Sequence, residues 1–118
     1  IKMNKLNIFY CPKCGNVGVA YGKPAIECCG SKIEPVTIEN MNVVPTITEM
    51  DGEYLLEYAC PMTKDDFIAA IVVERYDRVE LIRLFPEQAA EARVAQVKGA
   101  KIYTVFCRQG RVWCELMK

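Results

Sequence analysis

Along most of the chain, apolar residues recur in short stretches that are separated by turn signals. Leu6 to Tyr10 is apolar and β-prone, and Val17 to Tyr21 alternates larger with smaller side chains before the turn signal Gly22-Lys23-Pro24. Ala25 to Cys28 then reads as the returning strand of a hairpin. Such stretches, bounded by Gly and Pro, are typical of strands. We therefore predict a small, hairpin-rich module over residues 1–35.

After Pro35, stretches rich in β-branched residues continue at regular spacing. The Asp51-Gly52 dipeptide lies between two of them and is a strong hairpin signal. Further turns are predicted at Arg75 to Arg78 and around Gln109-Gly110. The predicted strands are Val36–Ile38, Val43–Met50, Tyr54–Cys60, Phe67–Glu74, Val79–Phe85, Lys101–Cys107 and Arg111–Met117. This spacing predicts a β-sandwich over residues 36–118.

The segment from Pro86 to Val97 fits two structures. Pro86 stands at a possible helix start, and good helix formers follow it. Glu91 to Val97 equally fits an edge strand, and periodicity does not decide between the two. We predict a loop followed by a strand, because the surrounding region is β.

The composition limits the partners and the location of the protein. The chain has 118 residues, 52% of them apolar, and its 15 basic residues balance its 15 acidic ones. A net charge of zero argues against nucleic acid or an anionic membrane as the main partner, since both reward clustered Lys and Arg. No apolar run is long enough to span a bilayer, and the N-terminus lacks a signal-peptide core. We therefore expect a cytoplasmic protein.

Histidine is absent from the sequence, whereas cysteine occurs seven times. The absence of histidine removes the usual general base near neutral pH and every histidine-ligated metal site. Clustered cysteines in a chain without a secretion signal read as metal ligands before disulfides. Four cysteines are grouped near the N-terminus, at Cys11, Cys14, Cys28 and Cys29. We predict that these four bind one metal ion.

The two cysteine pairs need different turns to aim four sulfurs at one metal. In Cys11-Pro12-Lys13-Cys14-Gly15, two intervening residues allow a tight turn, and the glycine permits a positive φ after the second ligand. Cys28 and Cys29 are adjacent, and neighbouring side chains on a strand point to opposite faces. The chain must therefore bend sharply there, with Gly30 providing the freedom. Four thiolates select iron or zinc. Buried or disulfide-bonded cysteines are the alternative.

The residues around the four cysteines resemble a known family. Phe9-Tyr10-Cys11-Pro12-Lys13-Cys14-Gly15-Asn16, followed by Glu27-Cys28-Cys29-Gly30, is similar to desulforedoxin and to the N-terminal module of desulfoferrodoxin. The adjacent pair of cysteines makes this resemblance more specific than that of a generic zinc ribbon. It implies one mononuclear iron bound by four cysteines, in a module that pairs with a second copy in a homodimer. Zinc is possible in place of the iron.

The resemblance continues through the rest of the chain, which is similar to superoxide reductases. This part of the resemblance implies an immunoglobulin-like β-sandwich. The motifs that carry it occur in the family's order and are Val44-Pro45, Asp51-Gly52, Cys60-Pro61-Met62, Phe67-Ile68 and Tyr103 to Trp113.

The family's catalytic centre is a ferrous iron held by four histidines and one cysteine, and most of it is missing here. The family's four histidines correspond to Val43, Cys60, Asp66 and Gly110. The nearby lysine aligns with Asn42 and the preceding glutamate with Met41. The resemblance retains only the axial cysteine, Cys107. We therefore predict that this chain does not reduce superoxide.

The resemblance also brings together the remaining candidates, Cys60, Asp66 and Cys107, where the lost iron would lie. Three such ligands could hold zinc or iron, with a water completing the shell. Cys60 and Cys107 could instead form a redox-sensitive disulfide. The simplest interpretation is that both cysteines are small buried residues in a vestigial pocket.

Three hypotheses about function follow. The first is one-electron transfer or redox sensing by iron at the four-cysteine site, with a redox partner protein. The second is a structural zinc at the same cysteines, with the sandwich as an interaction surface. The third is a redox enzyme with a rebuilt site at Cys60, Asp66 and Cys107. We favour the first. Enzymatic activity is left open because the resembled family consists of oxidoreductases, although the absence of histidine and of a recognisable catalytic constellation argues against it.

Overall fold

The computed structural model describes residues 5–95 and 99–117. In these residues the regular secondary structure consists of β-strands joined by turns and loops. The chain divides into two compact units, Ile1–Thr37 and Ile38–Lys118. No helix in the described part of the chain could cross a membrane. The mainly β fold predicted from the sequence is confirmed.

The first unit contains two antiparallel hairpins. Strand β1 (Leu6–Tyr10) pairs with β2 (Val17–Tyr21), and β3 (Ile26–Cys28) pairs with β4 (Ser31–Ile33). The prediction that residues 25–28 return along β2 is therefore wrong. The reason is the turn after β3, whose two residues, Cys29 and Gly30, have φ angles of 53° and 76°. Two successive residues with positive φ form a tight hairpin turn, so β3 finds its partner immediately downstream.

The first unit has a small apolar core. Among its described residues, the largest buried side chains are Leu6, Ile8 and Phe9, each at most 3% exposed, and all three lie on β1. The N–H of Val36 donates to the carbonyl of Ile8 at 2.7 Å and holds the end of the unit against this strand. So few buried side chains supply little hydrophobic stabilisation for a compact unit of this size.

The second unit contains two β-sheets. The larger sheet has five strands in the order β5-β12-β11-β8-β9, and the smaller has three in the order β10-β7-β6. The strands are β5 (Thr37–Asn40), β6 (Thr46–Met50), β7 (Glu53–Glu57), β8 (Asp66–Glu74), β9 (Val79–Arg83), β10 (Glu91–Val94), β11 (Lys101–Arg108) and β12 (Arg111–Met117).

The two sheets of the second unit share one hydrophobic core. Strands β8 and β11 lie inside the larger sheet and are buried over most of their length. Leu56 of β7 and Val94 of β10 reach the same core from the smaller sheet. One buried polar contact lies between the sheets, where the hydroxyls of Tyr58 and Thr104 are 2.9 Å apart. The predicted β-sandwich is confirmed.

Two turn signals in the sequence of the second unit are also confirmed. Asp51-Gly52 joins β6 to β7 with φ angles of 51° and 84°, and Gln109-Gly110 joins β11 to β12 with φ angles of 48° and 84°. Positive φ at both central residues is the geometry that twists with the strands, and Gly adopts it without steric cost.

The segment from Pro86 to Val97 forms a loop followed by a strand in its described part. Strand β10 alternates exposed with buried residues along Glu91–Val94. This period of two places Ala92 and Val94 on the core face, an arrangement that a helix of 3.6 residues per turn would not give. Residues 96 and 97 of the prediction lie outside the described residues.

Candidate metal centre

The first cysteine pair lies in a tight turn directly after β1. The N–H of Gly15 donates to the carbonyl of Cys11 at 2.7 Å, and the N–H of Cys11 donates to the carbonyl of Asn16 at 2.9 Å. Gly15 has a φ of 77°, a conformation that costs glycine nothing and most other residues about 1 kcal/mol. The turn holds Cys11 and Cys14 on the same side of the chain, as the spacing of two residues predicts.

The second cysteine pair lies where β3 turns into β4. Adjacent residues of an extended strand would aim their sulfurs to opposite faces. Here the strand ends at Cys28, and Cys29 already has the positive φ of the turn. The two Sγ atoms are consequently only 3.9 Å apart. The sharp bend expected from the sequence is confirmed, and Gly30 completes it.

The four sulfurs form a cluster of the size that a tetrahedral metal requires. The Sγ atoms of Cys11, Cys14, Cys28 and Cys29 all lie within 4.8 Å of one another. A metal bound at about 2.3 Å by four thiolates separates the sulfurs by about 3.8 Å. The observed separations of 3.4 Å (Cys14 to Cys28) and 3.9 Å (Cys28 to Cys29) lie on either side of this value. The four cysteines therefore fit a single iron or zinc ion.

The surroundings of the cluster distinguish a buried side from an exposed side. Cys11 is 1% exposed, whereas Cys14 and Cys29 are exposed. The side-chain amide of Asn16 donates to Cys28 Sγ at 3.8 Å. Lys13, between the first two cysteines, donates its ammonium to Ser31 Oγ at 3.0 Å and so ties the two cysteine turns together.

Backbone donors and neighbouring thiols separate the pKa values of the cysteines. Backbone N–H groups, first that of Cys14 and then that of Lys13, lower the pKa of Cys11 to about 6. Hydrogen bonds with the Cys14 and Cys11 sulfurs raise the pKa of Cys28 and raise that of Cys29 to about 12. Four thiolates this close repel one another, so complete ionisation needs a cation at their centre. A metal ion provides this charge, and its binding releases protons.

Cys60, Asp66 and Cys107 are not brought together as the predicted second site requires. Among the described residues, the four N-terminal cysteines are the only group of three or more Cys, His, Asp or Glu whose ligand atoms lie within 4.8 Å of one another. Cys60 and Asp66 line one cavity of the sandwich, but Cys107 does not line it. None of the seven cysteines is in a disulfide.

A bulge explains why Cys107 and Asp66 are separated. Val105 pairs with Ala70, but the next residue, Phe106, pairs with Ile68, so β8 has one extra residue at position 69. If Ala69 instead paired regularly with Phe106, Ile68 would pair with Cys107, and Asp66, two residues further along β8, would share the sheet face of Cys107. The bulge places Asp66 opposite Arg108 instead, and their side chains form an ion pair at 3.2 Å.

The cavity contains charged residues that sequence reasoning did not select. Arg108 and Arg111 lie at its rim on either side of the Gln109-Gly110 turn, and Glu115 lies deeper. The signal that could have found them is the Arg-Gln-Gly-Arg pattern, since a two-residue hairpin turn places its flanking residues opposite each other.

The fold is similar to that of a solved superoxide reductase. The crystal structure of the superoxide reductase from Treponema pallidum matches with a TM-score of 0.70 and 18% sequence identity, over 97% of this chain and 98% of that chain. No protein-family model and no curated protein sequence matches. At this identity the match shows a shared fold, and the chemistry must be argued from the residues.

Proposed function

We propose that this protein binds one iron ion at Cys11, Cys14, Cys28 and Cys29 and transfers or senses single electrons through it. The observation that supports the proposal is the cluster of four Sγ atoms within 4.8 Å of one another. Bound iron would supply a one-electron couple between its ferrous and ferric states, whereas zinc has no redox chemistry. The resemblance of residues 9–30 to desulforedoxin favours iron.

The protein's own residues would insulate one side of the centre and open the other. Buried Cys11 anchors the cluster to the end of β1, which excludes water from that side. Exposed Cys14 and Cys29 provide the side at which a redox partner protein can approach. Donors to sulfur, such as the amide of Asn16 on Cys28, stabilise the thiolates and adjust the reduction potential. Pairing of two copies in a homodimer is part of this proposal.

Reduction of superoxide is excluded from the proposal, although the T. pallidum protein carries that name. The sequence has no histidine, so the four-histidine iron centre of that family cannot form. The carboxylate at Asp66, which corresponds to one of those ligands, is paired with Arg108.

A structural zinc site is the second candidate. The observation that favours it is the small core of the first unit, with only three large apolar side chains at most 3% exposed in its described part. A metal with four thiolate ligands supplies folding free energy to such a unit whatever its redox chemistry.

Metal content of two cysteine variants tests the site assignment. Protein is produced in iron-supplemented medium, and iron and zinc are counted per chain for the wild type, Cys14→Ser and the control Cys107→Ser. We expect one iron per chain in the wild type and in Cys107→Ser, with thiolate-to-iron charge-transfer bands, and loss of both in Cys14→Ser. Full iron content in Cys14→Ser would contradict the assignment. One zinc and no colour in the wild type and in Cys107→Ser, with loss of the zinc in Cys14→Ser, would favour the structural role.

A further inference from the structure

The sandwich contains a cavity of about 270 Å³ that is lined entirely by residues of the second unit. Its apolar lining includes Val43, Pro61 and Ile68, together with Trp113, which is stacked on Phe106 with ring centroids 5.3 Å apart. Its charged side comprises Glu39, Asp66, Arg108, Arg111 and Glu115. Small-molecule sites commonly combine apolar side chains with a few convergent polar groups, and this cavity offers both.

Two arginines of the charged side lie beside the same tryptophan ring. Arg108 and Arg111 are direct cross-strand partners in the β11–β12 hairpin. Their guanidinium carbons lie 5.6 Å and 4.4 Å from the centre of the same Trp113 ring. The two carbons are therefore at most 10.0 Å apart, the sum of these distances. Like charges directly opposite on a hairpin destabilise it, and such local violations are expected where a site is functional.

Neighbouring carboxylates hold these arginines without occupying all their donors. Arg108 Nε contacts Asp66 at 3.2 Å, and Arg111 Nη2 contacts Glu39 at 2.9 Å. Each contact involves one nitrogen of a guanidinium that carries five N–H donors. The arginine side chains are 55% and 64% exposed, and ion pairs this solvated are weak and readily exchanged. Donors of both guanidinium groups are thus open to a further acceptor.

The third carboxylate of the cavity, Glu115, is already used by the protein. One of its oxygens accepts the N–H groups of Asn42 and Val43, each at 2.9 Å, and the other accepts the indole N–H of Trp113 at 3.1 Å. Three donors compensate its charge and leave little capacity for a cationic ligand. The arginine pair is accordingly the part of the cavity that is poised to bind a ligand.

We propose that this cavity binds a small organic anion, with its carboxylate or phosphate on Arg108 and Arg111 and a short apolar body against the apolar lining at Val43 and Pro61. An oxyanion between the two guanidinium groups would relieve their repulsion, and planar forked donors match its oxygens. The site is separate from the four-cysteine centre and does not depend on the metal proposed there.

Tryptophan fluorescence provides the assay, because the chain's single tryptophan, Trp113, lines the site. The full-length protein is titrated with butyrate, 1-butanol and butylamine, which have four carbons each and differ in charge, while tryptophan fluorescence is recorded. We expect a saturable change with butyrate only, with a Kd on the order of 1 mM because so small a ligand buries little surface. Added salt should weaken it.

Two arginine variants locate the binding. Arg111→Gln should weaken butyrate binding about tenfold or more, since hydrogen bonds to charged groups are the stronger ones. Arg78→Gln is the control, because Arg78 is also an exposed arginine paired with one carboxylate, that of Asp77, to which it donates at 3.2 and 3.1 Å, but it lies in the β8–β9 turn. The affinity of Arg78→Gln for butyrate should equal that of the wild type. Circular dichroism melts of both variants show whether the sandwich is folded.

Three results would overturn the proposal. The first is the absence of a saturable fluorescence response to butyrate. The second is a response to butylamine or to butanol as strong as that to butyrate, which would mean that the carboxylates or the apolar residues of the cavity determine binding. The third is unchanged butyrate affinity in folded Arg111→Gln. None of these results would affect the four-cysteine assignment, which is measured by metal content.

Discussion

The buried carboxylate of Glu115 should be one of the largest single polar contributions to the stability of the sandwich. Glu115 is 5% exposed, and its carboxylate accepts three N–H donors. Two come from the backbone of the loop between β5 and β6 and one comes from Trp113. We consider the substitution Glu115→Gln, which keeps the shape of the side chain and removes its charge.

The expected cost follows from the donors. The amide oxygen of glutamine can accept the N–H groups of Asn42 and Val43, but the amide NH₂ then meets the indole N–H of Trp113, donor against donor. A buried donor that loses a charged acceptor costs about 1.5–3 kcal/mol. We therefore expect the free energy of unfolding to fall by about 2 kcal/mol, and Tm by about 10 °C for a unit of this size.

Urea or thermal unfolding, monitored by Trp113 fluorescence, measures this loss. Glu57→Gln is the control, because Glu57 is an exposed carboxylate at the end of β7 and its neutralisation should change stability by less than about 0.5 kcal/mol. An unfolding free energy of Glu115→Gln within about 0.5 kcal/mol of the wild type would refute the reasoning.

The stability that Glu115→Gln loses relative to the wild type should depend on pH, and the sign follows from the pKa of Glu115. Burial alone would raise the pKa of Glu115, but the N–H groups of Val43 and Asn42 and the indole of Trp113 together lower it below its ordinary value of 4.5. The carboxylate therefore stabilises the fold above that pH, and this stabilisation is lost as the pH falls through the lowered pKa. The stability difference between wild type and Glu115→Gln should be constant near neutral pH and narrow below about pH 4.5.

Two further substitutions test local features of the fold. Gly52→Ala should lower the free energy of unfolding by about 1 kcal/mol. The cause is backbone strain, because φ is 84° there and an added Cβ meets no atom within 4 Å. An unchanged free energy of unfolding would contradict the assigned turn. Tyr58→Phe should lower the free energy of unfolding by about 1 kcal/mol, because it leaves the Thr104 hydroxyl unpaired. The double variant Tyr58→Phe, Thr104→Val should recover part of this stability. Strictly additive losses of stability would show that the two hydroxyls do not interact.

The sequence predicts most strands because the alternation of side chains and the turn dipeptides are local signals. Asp51-Gly52 and Gln109-Gly110 both form the expected turns. The sequence predicts the wrong partner for β3, because the bend at Cys29, which metal binding requires, also closes a hairpin with β4. A cysteine with positive φ has no clear signal in the sequence.

The four-cysteine cluster could be predicted because spacing within two short turns determines it. The second group of candidates failed for a non-local reason, the extra residue of β8 at Ala69, which moves Asp66 to the sheet face opposite Cys107. Bulges depend on the pairing of two strands, and neither strand's own pattern reveals them. The contacts of Arg108 and Arg111 with carboxylates on other strands also depend on how the strands pair, so the sequence of one strand alone does not reveal them.

The central claim is that the four cysteines hold an iron that exchanges one electron, and a redox titration of the purified protein tests it most directly. The visible spectrum is recorded as the potential is lowered and then raised again, with iron counted per chain. We predict thiolate-to-iron charge-transfer bands that bleach on reduction and return on oxidation, following a one-electron curve at one iron per chain. An iron-supplied protein that stays colourless with one zinc per chain, or bands that do not respond to potential, would contradict the claim.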